Sequence, residues 1–407
     1  MTEKAASFTR AMRKTHTIYM PDMLHYHNDL IKAAFRFAGY KLDVVPEYRE
    51  LTQSVYKTVN PDYCTCAIGI VGNLLTMAED PRFAGKPIAF LEPQMGGACR
   101  AGNYYELIIS SLRRCGHEEI PVLSLNLKGQ EKQPGFRING RMLFASLAAI
   151  CLSDLLMSLL LQLRPYEKHP GETEALYWKW ITRLEQELRK GQHLLRRRAL
   201  YRQICSDFAA VKLDETKRGT LKKVGIVGEI YIKFSPIGNR HLEELLRDNH
   251  CEYRLGGFFN YCMFVLYTDM VSAQLNGKSK ALLAGYQAAI DVLDRMQMRM
   301  HRVMEEYGFT HDASFHELKG NAKSIISEDY VIGDGWLIAG ETVDHIRKGY
   351  DRVLAVHPFG CLVSHVGTRG TLGRIRELYP GAGVHSIEYD YDQSEAMRES
   401  RILLALH

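Results

Sequence analysis

The chain has no C-x-x-C pair and no compact run of cysteines, which excludes a zinc ribbon and a small ferredoxin module as local motifs. It has no G-x-G-x-x-G and no G-x-x-x-x-G-K-[ST] loop, and Gly225-Ile-Val-Gly228 does not replace either. ATP hydrolysis by this chain is therefore not expected. Low-complexity tracts are missing. The stretch Met1 to Arg10 carries no apolar h-region, which argues against a standard secretion signal. Charge of one sign is not in large excess: a formal +5 is too mild to indicate nucleic acid. What is present is a chain of 407 residues, 46% hydrophobic, ample for two lobes with full cores. It also has nine cysteines, expected to be reduced thiols in a cytoplasmic protein.

Three of the cysteines share a context. In Phe90-Leu-Glu-Pro-Gln-Met-Gly-Gly-Ala-Cys99-Arg100-Ala-Gly-Asn103, an apolar strand ends, glycines turn the chain and a helical pattern begins. Val353-Leu-Ala-Val-His357-Pro-Phe-Gly-Cys361 repeats the design. Asn60-Pro-Asp-Tyr-Cys64-Thr-Cys66 follows a turn signal and precedes a helix-length apolar stretch from Ala67 to Met77. Thiols at helix N-termini are expected to have depressed pKa values, because unpaired N–H groups and the positive dipole end stabilise a thiolate. Three such thiols at the carboxyl ends of parallel strands suggest an iron-sulfur site. Cys151, Cys205, Cys251 and Cys262 have no such turn before them and read as core packing.

Alternating apolar runs and helical patterns predict an α/β fold of two Rossmann-like lobes with parallel sheets plus an intervening helical section. The divisions are 1–138, 139–211 and 212–407. Expected strands are 17–20, 41–46, 87–91 and 120–126, then 224–232, 251–256, 352–357 and 384–389. Met142 to Leu163 is long enough to span a bilayer, but Ser146, Ser153, Asp154, Ser158 and Gln162 interrupt it. A central Asp costs about 2.5 to 3.5 kcal/mol on insertion scales. It reads as a buried helix, with no membrane role, and gives a homodimer interface a location. The basic stretch from Arg189 to Arg202 reads as a solvated face, with contact to coenzyme A phosphates as the minority alternative. Ligands in open α/β sheets bind outside the carboxyl ends of the strands, so the crevice between lobes is the expected site. Glu229 and Asn239, flanking a turn with Ser235, Pro236 and Gly238, are the candidate catalytic carboxylate and amide; Glu229 reads equally as a residue that fixes its own turn. Arg100 and His365 are candidate donors to cluster sulfurs.

These residues also carry a family resemblance. The Cys64 segment, Gly96-Gly-Ala-Cys99-Arg-Ala-Gly-Asn103-Tyr104, Ile120 to Asn126, Arg164-Pro-Tyr-Glu167, Val224 to Asn239, Gly340-Glu341 and His357-Pro-Phe-Gly-Cys361 together resemble the 2-hydroxyacyl-CoA dehydratase and benzoyl-CoA reductase superfamily. Within it they are similar to the acyl-CoA dehydratase activase-related branch. The resemblance implies a two-lobed protein holding a four-iron four-sulfur (4Fe-4S) cluster on Cys64, Cys99 and Cys361, with a double cubane as the alternative. Cys66 stands where the family pattern has proline, and is the alternative to Cys64.

Three thiolates would leave one iron open, as an iron-sulfur-dependent lyase or reductase of low-potential one-electron chemistry requires. The alternative is a non-catalytic electron-transfer or cluster-carrying subunit, or a component of a double-cubane, ATP-dependent reductase. A double cubane needs more thiolates, making Cys66 and Cys115 candidates for a second set. The implied partners are a separate ATP-driven activator that donates electrons and an acyl-CoA substrate.

Overall fold

The computed structural model describes residues 6–60, 62–93, 99–125, 133–191, 194–391 and 393–407. It is an α/β structure with two four-stranded parallel sheets. The first contains β1 (Thr17–Met20), β2 (Lys41–Val44), β3 (Ile88–Glu92) and β4 (Val122–Ser124) in the order β2-β1-β3-β4. The second contains β5 (Lys222–Gly228), β6 (Cys251–Leu255), β7 (Arg352–Pro358) and β8 (Gly383–Tyr389) in the equivalent order β6-β5-β7-β8. β3, β4, β6 and β7 are buried almost throughout, as strands covered on both faces by helices must be. The expected fourth strand is shorter than its apolar run, and Asn126 lies outside the described residues, as do Gly96, Gly97 and Ala98 of the Cys99 turn.

The strand expected over 224–232 stops at Gly228. Gly228 has φ 140, and a Cβ there would stand 1.8 Å from the Val356 carbonyl oxygen of the neighbouring strand. Only glycine fits that turn. Glu229 then caps the helix Ile230–Phe234.

Between the sheets lie the helices Gly140–Leu163, Glu172–Arg189 and Arg198–Ala209. The first is apolar all round and is therefore wrapped by protein. Among the described residues it is the one helix long and apolar enough to cross a membrane by length and composition, and 61% of its apolar window is buried inside the chain. It packs against the helices Asn28–Phe37 and Glu172–Arg189 and against β6, leaving Leu143 and Phe144 near its start exposed. The basic face is internally paired: Arg197 reaches Glu187 at 2.9 Å, and Arg198 and Arg202 both bind Glu306.

Asp154, in the middle of the apolar helix, is 5% exposed and joins three parts of the chain. Its Oδ1 accepts from His27 Nε2 at 2.7 Å and from the Phe258 N–H at 2.8 Å, and its Oδ2 accepts from the Phe259 N–H at 2.8 Å. It thereby satisfies the N-terminus of the helix Phe259–Leu275. Removing the carboxylate would orphan two buried N–H groups and a buried imidazole. Asp154→Ala is expected to lose on the order of 3–5 kcal/mol of stability in urea unfolding. A loss below about 1 kcal/mol, the net value of one ordinary hydrogen bond, would show that these bonds do not hold the lobes together.

Candidate thiol site between the lobes

The two sheets reverse strand order beside their first strands, between β1 and β3 and between β5 and β7. These are the places where open sheets form ligand crevices. Cys99 follows β3, Glu229 follows β5 and Cys361 follows β7. Each is a helix N-cap. The Cys99 sulfur accepts from the Ala101 N–H at 3.5 Å, Glu229 Oε2 from the Ile232 N–H at 2.9 Å, and the Cys361 sulfur from the Ser364 N–H at 3.4 Å. Cys64 is the N-cap of the helix Thr65–Glu79. Four chain segments thus bring N-cap side chains able to carry negative charge to the junction of the lobes.

Contacts between segments show how tightly the junction closes. The Thr65 N–H donates to the Phe359 carbonyl at 3.4 Å, and Thr65 Oγ1 donates to the Tyr389 carbonyl at 2.9 Å. A Cβ on Gly360 would stand 3.6 Å from Cys64 Cα. The Cys66 thiol donates to Glu229 Oε2 at 2.9 Å, and the Cys64 sulfur lies 3.0 Å from the Tyr104 hydroxyl. Cys64 and Cys66 are buried, while Cys99 and Cys361 are partly accessible.

The expectation of depressed thiol pKa values is overturned. Burial, the largest cause, raises Cys99 to about 11; the bond from Ala101 opposes it, and Asp334 and Glu229 add to it. Cys361 is raised to about 12, again first by burial, against the hydrogen bond from the Ser364 N–H. Burial also raises Cys64, despite the Tyr104 bond and the nearby Arg100 charge, and holds Cys66 well above the usual thiol range. The carboxyls of Glu229 and Asp334 rise for the same reason, desolvation of the charged form. N-terminal dipoles are present, but removal from water outweighs them.

The surroundings supply little compensating charge. Lys233, one turn after Glu229, is committed to Glu341 at 2.9 Å, and both are buried. Arg100 donates from Nη1 to the Asp62 carbonyl at 2.5 Å, with its guanidinium 5.5 Å from the Tyr63 ring centre. Four thiols and two carboxyls in mutual influence can ionise together only if a cation joins them. Soft thiolates at helix N-termini fit an iron-sulfur or similarly thiophilic group. N–H···S bonds at Cys99 and Cys361 are of the kind that stabilise cluster sulfur ligands.

Other candidates fall elsewhere. Asn239 accepts from the Leu242 N–H at 3.1 Å and lines a separate cavity of about 450 Å³. That cavity lies along the same lobe seam, with His25, Lys32, Arg164 and Glu243 in its walls and no cysteine among its lining residues. Glu229 is not among the residues that line that cavity. His365 turns from the sulfurs to the Cys361 carbonyl oxygen, 2.7 Å from Nδ1. Cys115 ends the helix Tyr104–Arg114, and the charges that act on it are those of Glu79 and Lys57 rather than of the other thiols. Cys151, Cys205 and Cys251 are buried in the apolar interior.

Asp334 escapes sequence reading because its place beside the thiols is set by tertiary packing. Its only local signal is the flanking pair Gly333 and Gly335, both at positive φ. Tyr261 is drawn in the same way, from the helix after β6, and experiences the charges of Asp334, Cys99 and Glu229.

No family model matches the chain, and no curated protein matches it significantly.

The raised thiols give a direct expectation for the metal-free chain. A thiol at about 11 is almost wholly protonated at pH 8. Cys99 should therefore react with iodoacetamide at pH 8 about a hundredfold more slowly than an unperturbed cysteine, gaining tenfold per pH unit up to its pKa. Mass-spectrometric alkylation rates for Cys99 check this. Reaction at the rate of a free thiol would mean that the helix N-terminus outweighs burial.

Proposed function

We propose that the chain is an iron-sulfur protein of the 2-hydroxyacyl-CoA dehydratase-like type, with a four-iron four-sulfur cluster held by Cys64, Cys99 and Cys361 between the lobes. The observation that carries this reading is the convergence of three thiols at helix N-cap positions, from both lobes, on a junction short of positive charge. Cys64 is preferred to Cys66 because it occupies the N-cap position that Cys99 and Cys361 also occupy, whereas Cys66 is engaged with Glu229. A double cubane is the weaker variant, since Cys115 faces other groups.

When bound, such a cluster supplies low-potential one-electron transfer and, with three cysteine ligands, an iron open to an oxygen ligand. The chain's own residues would exclude water, through the buried Tyr104 and Tyr261, and would hold protons beside the thiols. Glu229 and Asp334, whose proton affinity burial raises, are carboxyls of the kind that could donate to a departing hydroxyl. In this reading an acyl-CoA is the substrate class and the reaction a dehydration or reduction. Electrons would come from a separate ATP-driven activator in a reducing cytoplasm, because this chain has no phosphate loop.

A second reading, an electron-transfer or cluster-carrying subunit, is favoured by the surface beside Cys361. Phe359, Leu362 and Val366 are 51%, 71% and 51% exposed and flank the thiol, offering an apolar contact through which electrons could pass to a partner. The cavity of about 450 Å³ lies away from the thiols, which also suits a subunit that does not itself bind substrate.

Anaerobic purification with iron and acid-labile sulfide analysis tests both readings, with electron paramagnetic resonance after dithionite. Roughly four irons and four sulfides per chain are expected, lost in Cys99→Ala, Cys361→Ala and Cys64→Ala and kept in Cys66→Ala. About twice that iron would favour the double form. Folded, iron-free protein that is indifferent to these substitutions would refute the cluster.

A further inference from the structure

We propose that His357, His365 and Glu388 form a second, sulfur-free site for a divalent cation of the zinc class, at the carboxyl ends of β7 and β8. The site rests on its own geometry and stands whether or not the cysteines hold a cluster.

The strands place two of the three residues together. His357 and Glu388 are register partners in the parallel pair β7–β8, and Ser386, two residues before Glu388, shares their face of the sheet. The third comes from the short helix Leu362–Gly367 that follows Cys361. One ligand atom from each residue lies within 4.8 Å of the other two.

The hydrogen bonds fix the tautomers. His365 Nδ1 is 2.7 Å from the Cys361 carbonyl oxygen, so Nδ1 carries a proton, and in the neutral ring Nε2 presents its lone pair. His357 Nδ1 lies 3.4 Å from the Pro358 carbonyl, and Nε2 accepts from Ser386 Oγ at 2.6 Å, a bond that an entering metal ion would displace. A ligating histidine that gives its other N–H to a carbonyl is the arrangement metal sites use to orient the ring.

Two acceptors then face each other. His365 Nε2 and Glu388 Oε1 are 3.3 Å apart, and Oε1 is enclosed and accepts no hydrogen bond. Two lone-pair atoms at that distance repel unless a positive charge lies between them. For bonds of about 2.05 Å, the edge of a tetrahedral zinc site is about 3.3 Å, which this pair already matches. The positive charge beside them is the half-exposed guanidinium of Arg369, with Nη1 3.3 Å from His365 Nε2 and 3.6 Å from Glu388 Oε1. Arg369 and a metal ion would compete for the same two atoms. With two imidazoles and one carboxylate from the chain, the site would leave a coordination position for Ser386 Oγ or water, and a borderline ion such as Zn²⁺ suits that donor set. Its consequence would be to tie the helix that begins at Cys361 to the sheet.

The experiment is zinc binding to chelator-treated full-length protein, by competition with a chromophoric chelator, for wild type, Glu388→Gln and Arg369→Ala. Zinc K-edge X-ray absorption on the one-equivalent complex reads the ligands. One zinc per chain is expected, with a nitrogen/oxygen shell near 2.0–2.1 Å. Affinity should fall at least about tenfold in Glu388→Gln and rise in Arg369→Ala. Absence of zinc binding in both wild type and Arg369→Ala would overturn the proposal. So would a sulfur shell near 2.3 Å with affinity indifferent to Glu388→Gln, which would assign the zinc to the cysteines.

Discussion

The arrangement of the two lobes depends on a carboxylate in an apolar helix. The hydrogen bonds that offset the burial of Asp154 come from outside its own helix, from both sides of the molecule. His27 belongs to the first lobe; Phe258 and Phe259 begin the helix that leaves β6 in the second. A lateral shift of either lobe would strand the charge in a low-dielectric interior, where an unpaired carboxylate is far more costly than a lost surface contact. Gly257 completes the fit, since a Cβ there would stand 2.7 Å from the Asp154 carboxyl carbon. One side chain thereby fixes the spacing on which every contact at the thiol junction relies.

With the lobes held in register, their shared topology produces the site. Each sheet reverses strand order beside its first strand, so the loops after β3, β5 and β7 open toward one another, and each delivers an N-cap side chain. The junction gathers acids whose hold on their protons burial strengthens. The buried Lys233–Glu341 pair is already balanced and lends it no free charge. A site of this composition is stable while its groups are protonated, and becomes a strong cation trap when they are not.

How far this is readable in the sequence depends on whether a feature is local. Turn-then-thiol signals are local, and Cys64, Cys99 and Cys361 stand at helix starts as their Gly/Pro contexts indicate. The apolar helix with Asp154 is local too, and 61% of its apolar window is buried inside the chain. Thiol ionisation is not local. A helix N-terminus is visible in sequence, but removal from water is a tertiary property, and it reverses the expected direction at both Cys99 and Cys361. The end of β5 is missed for a related reason: the apolar run continues to Ile232, and only the approach of Val356 explains why the chain turns at Gly228. Asn239 and Glu229 are close in sequence, yet the intervening helix Ile230–Phe234 sends them to different places. His357, His365 and Glu388 become a group only when β7 and β8 pair.

Raised thiols have a thermodynamic consequence for any thiophilic group bound at the junction. Each ligand cysteine must lose a proton that the fold retains to high pH, so loading releases protons and is opposed by acid. The proposed ligands also come from both lobes, with Cys64 and Cys99 on one side and Cys361 on the other. Binding energy at the metal is therefore binding energy between lobes, and adds to the tie that Asp154 makes on the far side of the seam. Thiols that burial holds protonated, together with the Cys66–Glu229 bond, keep charge off the sulfurs of the junction. Loading with a cation would replace those protons and would cross-link the lobes through the same side chains.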